Sequence, residues 1–301
     1  MQNIFGFLNI NKPPDCTSHD IIAMLRRSLG IKKIGHSGTL DPFSTGVLVI
    51  GINEATRLFE YLPQDKSYIA EVTFGIGTNT HDITGDVIEK SEKIPSKDEI
   101  ENELGSFIGK VKQKPPIFSA IKINGERAYK LARKKQITPD IVQEKEIEIY
   151  SIEIVSYLVE THRGVSLLRL KIHCSRGTYI RSLARDLGRK LNTCATLSSL
   201  KRISIGNIFT YEQSIEPQFV DKTTLFEYLI SPLKVLTLSK INLNSNEVKD
   251  ITHGKLIKVN KEYLNCSTSE LQLLDNNNKL VAIGSLVDGC IIKPEKVLIR
   301  Q

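Results

Sequence analysis

The sequence GHSGTLDPFSTGVLVIG, residues 35–51, holds one acidic side chain, Asp41, among four glycines and just ahead of the apolar run 47–50. Glycine lets a bound molecule approach the backbone closely, and a loop at the end of a buried strand gives a carboxylate a rigid base. A carboxylate so placed serves as nucleophile or as general base. Asp41-Pro42 is also an ordinary turn initiator, with Gly35, Gly38 and Gly46 supplying the freedom a turn needs, and the local sequence alone favours that plainer reading. Other chemistries find no residues. Neither GxxxxGK(S/T) nor GxGxxG occurs, so no phosphate-cradling loop is indicated. HExxH is absent, and the six histidines and five cysteines fall at no metal-ligand spacing. What survives is an enzyme with no metal or organic cofactor, working with carboxylate, tyrosine and arginine.

The charge pattern suggests what such an enzyme acts on. The net charge of the 301 residues is +7, but residues 110–135 carry nine Lys/Arg against Glu126 alone, and residues 163–190 carry eight against Asp186. Positive charge gathered in two segments of an otherwise acidic chain is the footprint of a polyanion partner, although solvated helix faces give similar runs. The scattered cysteines read as reduced thiols. With no basic n-region at the N-terminus and no apolar stretch of about 18 residues, a soluble cytoplasmic protein without membrane contact is expected.

The elements that must position Asp41 can be read around it. A strand over 4–10 leads into a helix capped by Thr17 and Asp20, lined by Ile21, Ile22, Leu25 and Leu29 and stopped by Gly30. Residues 35–46 read as loop, 47–51 as a buried strand, and 55–62 as a helix. KSYIAEVTFGIG alternates like a strand, and TNTHDITGD is turn chemistry. A helix over 97–108, a Pro-broken segment QKPPIFSAIKING and a basic helix over 126–135 follow. Strands over 144–156 and 165–174 then precede a helix, capped by Ser175 or Thr178, that carries Ile180, Leu183, Leu187 and Leu191. From about residue 236 short strands alternate with Asn/Gly/Asp turns, with one helical stretch near Glu247, as in a small β-barrel. The irregular mixture predicts an α+β fold.

Five motifs in one order resemble the TruB family of tRNA pseudouridine-55 synthases: NKPPDCTSHDII, GHSGTLDPFSTGVL, KSYIAEVTFG, QKPPIFSAIKINGERAYKLAR and CSRGTYIRSLARDLG, spread over about 200 residues. The resemblance implies a pseudouridine synthase fold, with a mixed, mainly antiparallel central sheet flanked by helices and loops, over residues 1–232. It implies a basic insertion near 112–145 that grips RNA through Lys122, Arg127, Lys130, Arg133 and Lys134. It further implies a PUA-like β-barrel that binds RNA over 233–301. Asp41 matches the family's catalytic aspartate, Tyr68 the tyrosine that stacks on the flipped base, and Arg181 the arginine that pairs with the carboxylate. His36 matches a histidine beside the flipped nucleotide, Lys12 a lysine supporting the active-site loop, and Leu200 an apolar wall of the pocket. Where the family commonly has Thr-Asp-Thr this chain has Thr78-Asn79-Thr80, which puts in question an acidic group at that place. The implied substrate is the T arm of tRNA and the implied protein a monomer with no obligate protein partner. The cation at Arg181 is expected to keep Asp41 ionised.

Two other classes compete. An RNA-binding chaperone would open and refold the tRNA elbow without chemistry. A carboxylate-based hydrolase of another polyanion would need a second Asp or Glu, and the Asp41 loop offers none.

Overall fold

The computed structural model describes residues 4–123, 125–134, 136–160, 165–259, 269–288 and 290–299. Lys135 and Arg163, counted in the two basic segments, and Cys266 lie outside the described residues. The four described cysteines are free thiols. Among the described residues, no helix is long and apolar enough to cross a membrane.

A nine-stranded sheet organises the first three quarters of the chain, in the spatial order Gly6–Lys12, Thr45–Ile52, Ala195–Ile205, Lys66–Phe74, Val165–Cys174, Lys145–Glu160 and Gly109–Gln113. Ile34–His36 and Phe209–Thr210 pair off this path. Neighbours are antiparallel except where Thr45–Ile52 meets Ala195–Ile205, in parallel at Thr45↔Lys201 and Gly46↔Arg202. The sheet is therefore mixed and mainly antiparallel, as expected.

Both faces of Thr45–Ile52 are buried, which is why its sequence is continuously apolar instead of alternating. On one face Leu48 and Ile50 pack with Ile21, Leu25 and Leu29 of the helix Ser18–Leu29; on the other Val47 and Val49 pack with Phe7, Leu58 and Phe209. That helix begins and ends as its sequence requires. Thr17 and Asp20 form a reciprocal capping box, and Gly30 takes the left-handed conformation at φ 69°. The helix Ile180–Lys190 buries Leu183 and Leu187 against Val72, Phe74 and Leu170 of the sheet, each such side chain contributing roughly 1.5–3 kcal/mol.

Several expectations need correction. The stretch 55–62 forms two 3-10 turns, Asn53–Arg57 and Phe59–Tyr61, because Pro63 follows at once and the Phe59 ring is committed to packing on Phe7 and Gly51. Neither Ser175 nor Thr178 caps the helix Ile180–Lys190. The helix starts at Tyr179 without a side-chain cap; the buried Gln113 of the edge strand holds that residue instead, accepting from the Tyr179 N–H at 2.8 Å and donating to its carbonyl at 3.0 Å. The basic helix shortens to Ala128–Arg133, since Glu126–Arg127 are drawn into a hairpin with Lys122–Ile123. The strand Ala195–Ile205, absent from the sequence reading, is a central one.

The C-terminal segment forms a five-stranded sheet in the order Ser239–Asn242, Glu270–Leu274, Leu280–Val287, Ile291–Val297, Ile257–Lys258, with the helix Ser245–Thr252 packed on it. Leu274, Leu280, Ile283 and Leu298 join Phe7, Val49 and Leu58 in one apolar cluster. Lys296 pairs with Glu60 at 3.0 Å across the same seam.

At Gly46 the strand Thr45–Ile52 runs against the backbone of Arg202 with no room for a side chain. The φ of Gly46 is +99°, and a Cβ there would collide with the Arg202 carbonyl oxygen. Gly46→Ala is therefore expected to destabilise the fold by about 2 kcal/mol or more. Urea unfolding reads this directly, and an unchanged midpoint at unchanged slope would contradict it.

Candidate active site

The Asp41 loop is fixed by its carbonyls. Lys12 has no exposed surface, and its ammonium donates to the carbonyls of Pro13 at 2.8 Å, Cys16 at 2.7 Å and Pro42 at 3.1 Å. Ser18, the first residue of its helix, accepts from the Leu40 N–H at 2.9 Å and donates back to the Leu40 carbonyl at 3.3 Å. From the opposite side Arg202, 1 % exposed, donates to the carbonyls of Val47 at 2.7 Å and Gly38 at 3.1 Å. The Asp41 carbonyl accepts from the Ser44 N–H at 3.0 Å and closes the turn. Both flanks of residue 41 are thus tied to the two strands beneath and to the helix.

Held in this way, Asp41 lines a cavity of about 290 Å³ together with Tyr68, Tyr179, Arg181 and Leu200. Arg181 grips it side-on, Nε to Oδ2 at 2.8 Å and Nη2 to Oδ1 at 3.1 Å. The other guanidinium donors go to the carbonyls of Thr80 at 3.0 Å and Phe118 at 2.9 Å and to Asp82 at 3.3 Å. Every nitrogen of this guanidinium, 4 % exposed, thus has an oxygen partner, as its burial requires. Asp82, itself 3 % exposed, accepts on Oδ1 from Thr80 Oγ1 and from the Thr84 N–H and hydroxyl. One buried cation therefore joins two carboxylates, of which Asp41 alone lines the cavity.

The electrostatics differ from the sequence expectation. Burial pushes the Asp41 carboxyl above its usual range; Arg181 pulls against that, Asp82 adds to it, and burial prevails. The arginine moderates the cost of ionising Asp41 without removing it. Burial likewise raises Tyr68, which stays an uncharged phenol. His36 is lowered by burial and then by Arg202, so its ring is neutral at pH 7.

Of the residues singled out from the sequence, the cavity gathers Asp41, Tyr68, Arg181 and Leu200. Lys12 stands behind the loop. His36, in the strand Ile34–His36, is one residue short of the lining, and among the described residues its Nδ1 has no hydrogen-bond partner. Lys122, Arg127, Lys130, Arg133 and Lys134 are exposed on the hairpin and helix that follow Ser119 and Ala120, which line the cavity. Asp82 and Arg202 were missed. Asn79 caps the turn it sits in, accepting from the Asp86 N–H at 3.1 Å, and the acid that meets Arg181 comes from three residues later. Its signal was an aspartate surrounded by threonines able to donate to it.

A family model described as TruB family pseudouridylate synthase (N terminal domain) matches residues 26–180. A tRNA pseudouridine synthase B of Acaryochloris marina is 36 % identical over 99 % of this chain and 100 % of its own length. One from Prochlorococcus marinus is 44 % identical over 86 % of this chain and 82 % of its own. The chain belongs to the TruB family of pseudouridylate synthases. The Asp41 loop and Tyr68 fall within the matched segment, and Arg181 lies one residue beyond its end. The fold extends further than the family model: a chain from the crystal structure of a Cbf5-Nop10-Gar1 complex, 24 % identical, superposes with a TM-score of 0.69 over 100 % of this chain and 87 % of that one. A second, from an H/ACA RNP bound to a substrate RNA containing 2′-deoxyuridine, is 23 % identical with a TM-score of 0.67, covering 98 % of this chain and 85 % of that one.

Proposed function

We propose that this TruB family member converts the uridine at position 55, in the T arm of tRNA, to pseudouridine, with Asp41 as its catalytic residue. Family membership gives the reaction class, pseudouridine formation in tRNA. The observation that carries the rest is a single carboxylate lining a cavity beside Tyr68, held bidentately by a buried arginine.

The reaction breaks the N1–C1′ bond and forms a C5–C1′ bond; N1 gains a proton and C5 loses one, so no atom is added or removed overall. Asp41 must enter ionised, whether it adds to the ribose or removes a ribose proton. The target base must first leave its stack, at a cost of a few kcal/mol. Stacking on Tyr68 offsets about 1–3 kcal/mol of that, and Leu200 supplies an apolar wall. Water excluded by the bound base strengthens the attraction between Arg181 and the Asp41 carboxylate, which holds its oxygens in place.

Residues 1–232 are assigned the chemistry and 233–301 a PUA-like RNA-binding role, in a cytoplasmic monomer. The exposed cations Lys122, Arg127, Lys130, Arg133 and Lys134 are assigned to the phosphates of the RNA arm. Replacing Lys130, Arg133 and Lys134 by Gln is expected to weaken tRNA binding and to flatten its log–log salt slope by about 2–3. A slope equal to that of the parent protein would remove this segment from the interface.

A chaperone without chemistry has no use for a buried carboxylate whose ionisation opposes folding. A glycoside hydrolase lacks its second acid, because Asp82 is fully engaged and does not line the cavity. Mapping pseudouridine after incubating unmodified tRNA with the purified protein tests the reading.

A further inference from the structure

We propose that Lys66 and Arg176 form a phosphodiester subsite at the mouth of the catalytic cavity, which holds one of the two linkages flanking the extruded uridine. This rests on the function proposed above and specifies where the RNA backbone is gripped.

Three cations meet on one side of the cavity: Lys66 at the start of the strand Lys66–Phe74, Arg176 in the turn before the helix, and Arg202 beneath. Among the described residues none of the three has a carboxylate within ion-pair distance. Asp65, next to Lys66 in sequence, is engaged by His173 at 2.9 Å. Lys66 donates to the Gln64 carbonyl at 2.8 Å, and Arg176 to the Gln64 side-chain oxygen at 3.3 Å. One neighbour therefore orients both, and two ammonium hydrogens and most of the guanidinium remain unused. Arg202 is spent on loop carbonyls.

The crowding has an electrostatic consequence. Burial, then Arg202 and Arg176, push Lys66 down to about 8. Cations packed without a counter-ion are a site prepared for an anion. Position narrows the class of anion. Arg176 lines the catalytic cavity and also the adjoining groove formed with Arg57, Glu60, Gln64 and Lys296, so it stands where the two meet. A nucleotide with its base against Tyr68 and its ribose at Asp41 carries its charge on its two flanking phosphates, and among the described residues the other cations lining the cavity, Arg181 and Arg202, are already engaged by Asp41 and by backbone carbonyls.

The test uses T-arm hairpins in which the linkage on the 5′ or on the 3′ side of the target uridine is a neutral methylphosphonate, with binding measured for the parent protein, Lys66→Gln and Arg176→Gln. Arg176 is exposed, so its variant keeps the fold even if Lys66→Gln does not. With the parent, one of the two neutral linkages is expected to weaken binding roughly tenfold. In each folded variant that same linkage is expected to matter less than about twofold, because its partner is already gone. Equal penalties in parent and variants, or no penalty at either linkage, would overturn the subsite. If inorganic phosphate competes with the hairpin for the parent protein while the linkage penalties stay uncoupled, the site holds a free anion only, and the proposal fails. A parent protein that shows the coupling in binding yet forms no pseudouridine would instead refute the function while leaving the subsite in place.

Discussion

Asp41→Asn is expected to lose pseudouridine formation by at least about 10⁴-fold while binding unmodified tRNA within about threefold of the parent. The asymmetry follows from the site. Asparagine keeps the size of the side chain and one oxygen for Arg181, so the loop, its carbonyl clamps and the basic hairpin are untouched. It cannot form a bond to the ribose or take a proton from it. Nor should the variant be less stable through charge. Because burial raises the folded-state pKa of Asp41 above its unfolded value, the folded chain binds the proton more tightly. This group's contribution to stability therefore falls as pH rises through that window, and ionised Asp41 opposes folding at neutral pH. Removing the charge relieves that opposition. The same shift places the acid limb of the parent's rate profile above the usual aspartate value of about 3.9, with activity rising as pH rises. A variant that turns over like the parent would remove Asp41 from the chemistry, and one that neither binds nor folds would show that the loop depends on its charge.

Replacing Arg181 is expected to do wider damage. Arg181→Met strands the buried Asp82 and leaves Asp41 without its cation, with the carbonyls of Thr80 and Phe118 unpaired. Breaking a buried ion pair from one side costs about 3–5 kcal/mol, enough to threaten the fold of an ordinary domain. Arg181→Lys separates the two roles. A lysine keeps the charge but has three donors and no planar fork, so stability should recover in part while activity stays low. Thermal unfolding of both variants beside single-turnover rates would show this ordering. Equal stability of parent and Arg181→Met would mean that the network of Asp41, Arg181 and Asp82 does not form in solution.

Much of this site was legible because its signals are local. The capping box at Thr17, the left-handed Gly30, the apolar run behind the loop and the buried stripe of Ile180, Leu183 and Leu187 are each written within a dozen residues. What escaped depends on distant partners. The strand Ala195–Ile205 hides its alternation behind two register shifts, at Leu197/Ser199 and Arg202/Ser204, and each irregularity resets the period of two that betrays a strand. The same strand carries Arg202, which reads as a surface charge in LKRIS and is instead among the most deeply buried side chains of the fold. Gln113 as the partner of the Tyr179 backbone and Asp82 as the counter-ion of Arg181 each lie about 66 to 99 residues from the group they serve, beyond what spacing can signal.

The product of the reaction is the most direct observable. Unmodified tRNA is incubated with the purified protein under single-turnover conditions, and pseudouridine is mapped along the whole molecule at nucleotide resolution. Conversion confined to the T-arm uridine, appearing with the parent and missing with Asp41→Asn, is the predicted result. Conversion that persists in the variant, or a parent protein that binds the tRNA and leaves every uridine unchanged, would contradict it.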